Sequence, residues 1–138
     1  MTEQLPPPKD LSESGALIIG GTAGIGFATA KALAEAGVPR IVIVGRNAER
    51  GEPAARLLTD RGADAHFLAG SPLDPAEAAK IAEEAERLLG GIDIMMCTTA
   101  ADGVAPELFK DIPASDISRI LTEMATPAMH MASAVLPG

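Results

Sequence analysis

With 138 residues, 47% of them hydrophobic, the chain suits one domain with a buried core. Its net charge of −8 is spread over helical segments, which disfavours nucleic acid and anionic membrane surfaces as partners. The single cysteine, Cys97, lies in an apolar run, which excludes an internal disulfide framework and fits a reducing cytoplasm; no stretch has signal-peptide character or approaches the roughly 20 apolar residues that span a bilayer.

Residues 1–13 carry Pro6-Pro7-Pro8 among polar neighbours and read as a flexible tail, with a proline-recognition motif as the alternative. Residues 16–19 form a short apolar run that ends in glycines, and residues 27–36 have helical composition, stopped by Gly37 and Pro39. The β-branched run 40–44 predicts a second strand, and the polar stretch 48–61 a helix that Gly62 terminates. A third strand is expected over 65–69. Asp74 can cap a helix with Pro75 at its first position, and this alanine- and glutamate-rich helix runs to Leu89 before Gly90-Gly91. Residues 92–97 make a fourth strand. After a loop of small residues, 113–136 reads as one long helix, bent at Pro127, with Ile117, Ile120, Leu121, Met124 and Met131 at helical spacing and the methionines filling the core.

Strands that alternate with helices at this spacing imply right-handed crossovers. The expected fold is α/β: a doubly wound, Rossmann-like parallel sheet in the order 3-2-1-4, formed by a single domain over 14–138. His66 falls on the third strand and His130 on the last helix; both read as structural residues.

The run Gly20-Gly21-Thr22-Ala23-Gly24-Ile25-Gly26 lies between the first strand and the first helix. A pyrophosphate must approach backbone N–H groups closely at a helix N-terminus, where side chains would obstruct it and the helix dipole favours negative charge. Gly20, Gly24 and Gly26 give that access, with Thr22, Ala23 and Ile25 between them. The other reading is a structural turn that holds no ligand.

On this glycine run, on Ile41-Val42-Ile43-Val44-Gly45-Arg46-Asn47 and on Ile92-Asp93-Ile94, the chain resembles the N-terminal half of the short-chain dehydrogenase/reductase family over nearly all of residues 15–138. The resemblance implies a dinucleotide cofactor. Arg46, followed by Asn47, stands where members that prefer NAD place an acidic residue, so NADP(H) is expected rather than NAD(H): a guanidinium pairs with the 2′-phosphate and stacks on adenine. An exposed surface arginine is the alternative. Ala23 occupies a position where many relatives that prefer NADP carry a second basic residue.

Other positions depart from the family pattern. Ser71 and Pro72 stand for the aspartate–valine pair that reads the adenine edge, and Pro72 has no N–H to donate. Cys97-Thr98-Thr99-Ala100 stands for its Asn-Asn-Ala-Gly, which places Thr98, Thr99 and Ala100 beside the ribose. Met124 replaces an asparagine of the family's proton relay. The family's catalytic serine and Tyr-x-x-x-Lys would lie beyond Gly138, and the sequence contains no tyrosine, so no catalytic residue is assigned. The sheet is thus expected to be truncated after the fourth strand and the following helix, with that strand as an edge covered by a second polypeptide, by self-association or by a continuation of the chain. Three functions follow: the cofactor-binding half of an oxidoreductase, whose substrate the resemblance implies to be a ketone or secondary alcohol, a non-catalytic nucleotide-binding or assembly module, or a scaffold without ligand.

Overall fold

A computed structural model describes residues 7–101 and 109–136. Residues 1–6 of the expected tail, the loop 102–108 and the end at 137–138 lie outside the described residues. The elements alternate as β1 Gly15–Ile19, α1 Gly24–Glu35, β2 Arg40–Gly45, α2 Ala48–Thr59, β3 Asp64–Ala69, α3 Pro75–Leu89, β4 Ile94–Cys97 and α4 Ala114–Val135. The four strands are all parallel and lie in the order β3-β2-β1-β4, as the sequence predicts.

β1 is buried along its whole length and β2 over its four central residues, because helices cover both faces of the sheet. Ala16, Ile18, Ile41 and Ile43 point to one side, where Ala30 and Ala34 of α1 and Leu58 of α2 pack on them. Leu17, Ile19, Val42 and Val44 point to the other, against Ile81, Ala85 and Leu89 of α3 and Met131 of α4. Each large side chain taken fully out of water here contributes about 1.5–3 kcal/mol. The continuous apolar runs of β1 and β2 are the sequence trace of this two-sided burial.

Three boundaries differ by two residues or more from those predicted. α1 starts at Gly24 rather than residue 27, since the N–H of Phe27 already donates to the Ala23 carbonyl at 3.2 Å; glycines and alanine hide this turn from propensity. β4 starts at Ile94 rather than residue 92, because the Asp93 side chain stands in for a rung of the ladder. Its Oδ2 accepts from the N–H of Gly15 at 2.9 Å, while its own N–H donates to the Gly15 carbonyl at 3.0 Å. Thirdly, α2 stops at Thr59 instead of residue 61.

From residue 9 onward, the lead-in that the sequence reads as a tail makes contacts of its own. Asp10 caps a 3₁₀ turn over Leu11–Glu13, and Lys9 Nζ lies 3.0 Å from Asp93 Oδ1. The hydrogen bond from Gly15, with Lys9 and Arg40 nearby, holds the Asp93 carboxyl below its ordinary value.

α4 runs through Pro127 as one helix. Met131 and Pro127 are buried, whereas Leu121, Met124 and Met129 are exposed at 63%, 52% and 69%, so Met124 does not fill the core as predicted. Among the described residues, no helix is long and apolar enough to cross a membrane.

Candidate functional site

At the carboxyl ends of the strands, where the chain crosses from each strand to the next helix, a cleft of about 840 Å³ opens. Every residue that the sequence singles out for cofactor binding lies on its wall. Gly20, Thr22 and Ala23 come from the turn after β1, and Gly24, Ile25 and Gly26 from the first turn of α1. Arg46 and Asn47 follow β2, Ser71 follows β3, and Thr98, Thr99 and Ala100 follow β4.

The glycines do different work. Gly20 has φ +80°, and its N–H donates to the Val44 carbonyl at 2.9 Å, which bends the chain out of β1. Gly26 is the packing position: a Cβ there would run into the Gly20 carbonyl and Thr98 Oγ1. Thr98 fixes the same corner, since its hydroxyl donates toward the carbonyls of Ile19 at 3.0 Å and Gly20 at 3.2 Å. Gly24 is the open position. It has φ +54°, and a Cβ built on it meets nothing within 4 Å.

No side chain caps α1, whose N-cap is Ala23, and its first turn has no acidic residue. The first N–H groups of a helix lack partners within it, and the dipole makes that end positive. Here both properties face the cleft. α2 differs: Asn47 is its N-cap, with Oδ1 accepting from the N–H of Arg50 at 3.3 Å. Asn47 is therefore committed to shaping the start of α2.

The charges on the wall are Arg46 and Arg50, both exposed, and Glu123 of α4. Glu123 is held by Arg119, with Nη1 and Oε2 3.1 Å apart. Arg50 and Glu123 were not singled out in the sequence, where each is one charge in a polar helical stretch. On the β3 side, the N–H of Ser71 donates to Glu77 Oε2 at 2.9 Å, so that donor is already used. Beyond it, Pro72 is buried and its carbonyl lies 2.8 Å from His130 Nδ1. Met124 shares the cleft with Pro127.

His66 lies elsewhere, in a separate polar cavity of about 380 Å³ between α2, β3 and α3. It faces Asp64 at 3.1 Å. Cys97 Sγ is 3.4 Å from Thr99 Oγ1, at the end of β4. Among the described residues, no group of three or more histidine, cysteine, aspartate or glutamate side chains is placed to hold a metal ion.

Residues 14–138 match the sequence profile of the short chain dehydrogenase family. The chain is 30% identical over 135 residues to a phenolphthiocerol/phthiocerol polyketide synthase polypeptide of Mycobacterium tuberculosis, a match over 94% of this chain and 6% of that protein. It is 34% identical over 92 residues to a C alpha-dehydrogenase of a Sphingobium species, covering 67% of this chain and 30% of that one. Among solved structures, the NADPH-bound short chain oxidoreductase of Pseudomonas aeruginosa PAO1, which contains an atypical catalytic center, superposes with a TM-score of 0.81 at 31% identity over 94% of this chain and 50% of that chain. This chain thus spans half or less of these three relatives.

Proposed function

The chain belongs to the short-chain dehydrogenase family, and from that premise we propose that it is the NADP(H)-binding half of an oxidoreductase acting on a ketone or secondary alcohol. The observation that carries this reading is the start of α1: uncapped, free of acidic residues, open above Gly24, and in one cleft with Arg46 and Arg50. Such a cradle fits a dinucleotide pyrophosphate.

In this reading the N–H groups of Gly24, Ile25 and Gly26 hold the pyrophosphate. The Arg46 guanidinium takes the 2′-phosphate, which favours NADP(H) over NAD(H), and Arg50 adds positive charge beside it. Thr98, its hydroxyl committed to two carbonyls, shapes the floor, and Thr99 and Ala100 flank the ribose. When bound, the nicotinamide supplies or accepts a hydride. Transfer to a carbonyl also needs an acid for the developing alkoxide, and a chain without tyrosine lacks the family's usual donor. The donor is then supplied from outside this sequence, by a continuation or a second polypeptide laid along β4, whose residues are only half-buried. A cytoplasmic location fits the same reading.

A second reading, a nucleotide-binding module without catalysis, draws on two observations. Glu77 occupies the Ser71 N–H, and the apolar side chain of Met124 stands on the cleft wall.

Titration with NADPH and NADH, followed by calorimetry, tests the proposal. Saturable NADPH binding at or below the order of 1 mM is expected. Arg46→Glu should weaken NADPH at least about tenfold, since hydrogen bonds to charged groups contribute about 1.5–3 kcal/mol, and should change NADH far less. Equal losses for the two nucleotides would remove the phosphate assignment; no saturable binding would remove the cofactor reading.

A further inference from the structure

The geometry points to His130 as a positioning residue: it clamps the β3–α3 loop to α4 and so fixes the width of the cleft. A carbonyl oxygen only accepts, so the 2.8 Å contact requires that Nδ1 of His130 carry the hydrogen and donate to Pro72. Pro72 is buried, and its carbonyl takes this donor from another element of the fold.

The loop is held from two sides. On one, the N–H of Ser71 donates to Glu77 in the first turn of α3 at 2.9 Å. On the other, the His130 ring reaches in from α4, 58 residues away in sequence. Gly70, Ser71, Pro72 and Leu73 supply one stretch of the cleft wall, and Glu123, Met124 and Pro127 of α4 supply another. His130 lies one turn beyond Pro127, so its bond joins the two stretches behind the surface that a ligand would touch. Neutral imidazole with its hydrogen on Nδ1 and protonated imidazolium both make this bond, so the clamp needs no particular charge state.

The effect on nucleotide affinity rests on the cofactor reading above; the clamp itself does not. Three measurements on the chain test it. In the wild type, nitrogen-detected NMR should find hydrogen on Nδ1 of His130; a neutral ring with its only hydrogen on Nε2 would overturn the inference without any mutation. His130→Leu removes the donor, whereas in His130→Asn the side-chain amide nitrogen stands as many bonds from the backbone as Nδ1 and keeps it. Amide hydrogen exchange at Ser71 and Leu73 should quicken at least about fivefold in His130→Leu, the fold-change of a hydrogen bond of about 1 kcal/mol, and return toward wild type in His130→Asn, with β1 unaffected. The NADPH dissociation constant should rise by a similar factor in His130→Leu and recover in His130→Asn. Loop exchange at the wild-type rate in His130→Leu, or equal losses in both variants, would overturn the clamp. If the wild type binds no NADPH, the cofactor reading fails, and tautomer and exchange alone decide the role of His130.

Discussion

α1 and α3 begin at the same end of the same parallel sheet, and their first turns are built in opposite ways. α3 is closed by its own side chains: Asp74 Oδ1 accepts from the N–H of Ala76 at 3.0 Å, Pro75 removes one donor outright, and Glu77 brings a negative charge to the dipole. α1 has Ala23 where α3 has Asp74, and no acid in its first turn. An anion at α3 would meet two carboxylates; at α1 it would meet N–H groups and empty space. The contrast shows that an anion site is made as much by withholding acceptors as by supplying donors.

The largest blow to this arrangement should come from Gly26→Val. Its side chain would press into the Gly20 carbonyl and Thr98, so urea unfolding should show a loss of about 3 kcal/mol or more, with nucleotide binding abolished. Converting one helix start into the other sharpens the comparison. Ala23→Asp gives α1 the cap that α3 has, and should weaken NADPH at least about tenfold while the empty protein gains about 0.5–1 kcal/mol. The reverse change, Asp74→Ala, should cost about 1 kcal/mol of stability by the same unfolding assay and shift NADPH affinity less than about twofold. Should Ala23→Asp leave affinity intact, the α1 start would not be the anion site.

The smallest effect is expected at the opposite end of the sheet, where Asp93 accepts from Gly15 and pairs with Lys9. Because folding depresses the Asp93 pKa, the stability it contributes is present above the unfolded-chain value of 3.8 and is lost as pH falls through the lower folded value. Asp93→Asn should therefore be less stable than wild type near neutrality. The gap should close below about pH 4, measured by thermal unfolding across pH.

Much of this architecture is legible in the chain before folding. The unbroken apolar runs of β1 and β2 announce strands covered on both faces, and the glycine run between β1 and α1 marks the crossover where the cleft forms. What escapes is what depends on partners distant in sequence. The bond from His130 to Pro72 joins positions that no local pattern relates, and Arg50 acquires its place in the cleft only from the direction in which α2 leaves Asn47. Met124 repeats at helical spacing with true core residues, yet it falls on the cleft side of α4, so periodicity alone assigns it wrongly. At β4, a carboxylate imitating a backbone rung moves the strand boundary, a substitution that residue preferences do not register.

The two borders of the described sheet are unlike, and copies of this chain would meet differently at each. β3 carries the Asp64–His66 pair among Ala65, Phe67, Leu68 and Ala69, whereas β4 offers isoleucine, two methionines and cysteine without a charged group. Two copies joined border to border through β4 would bury both greasy margins and leave the Asp64–His66 pairs on the two outer borders.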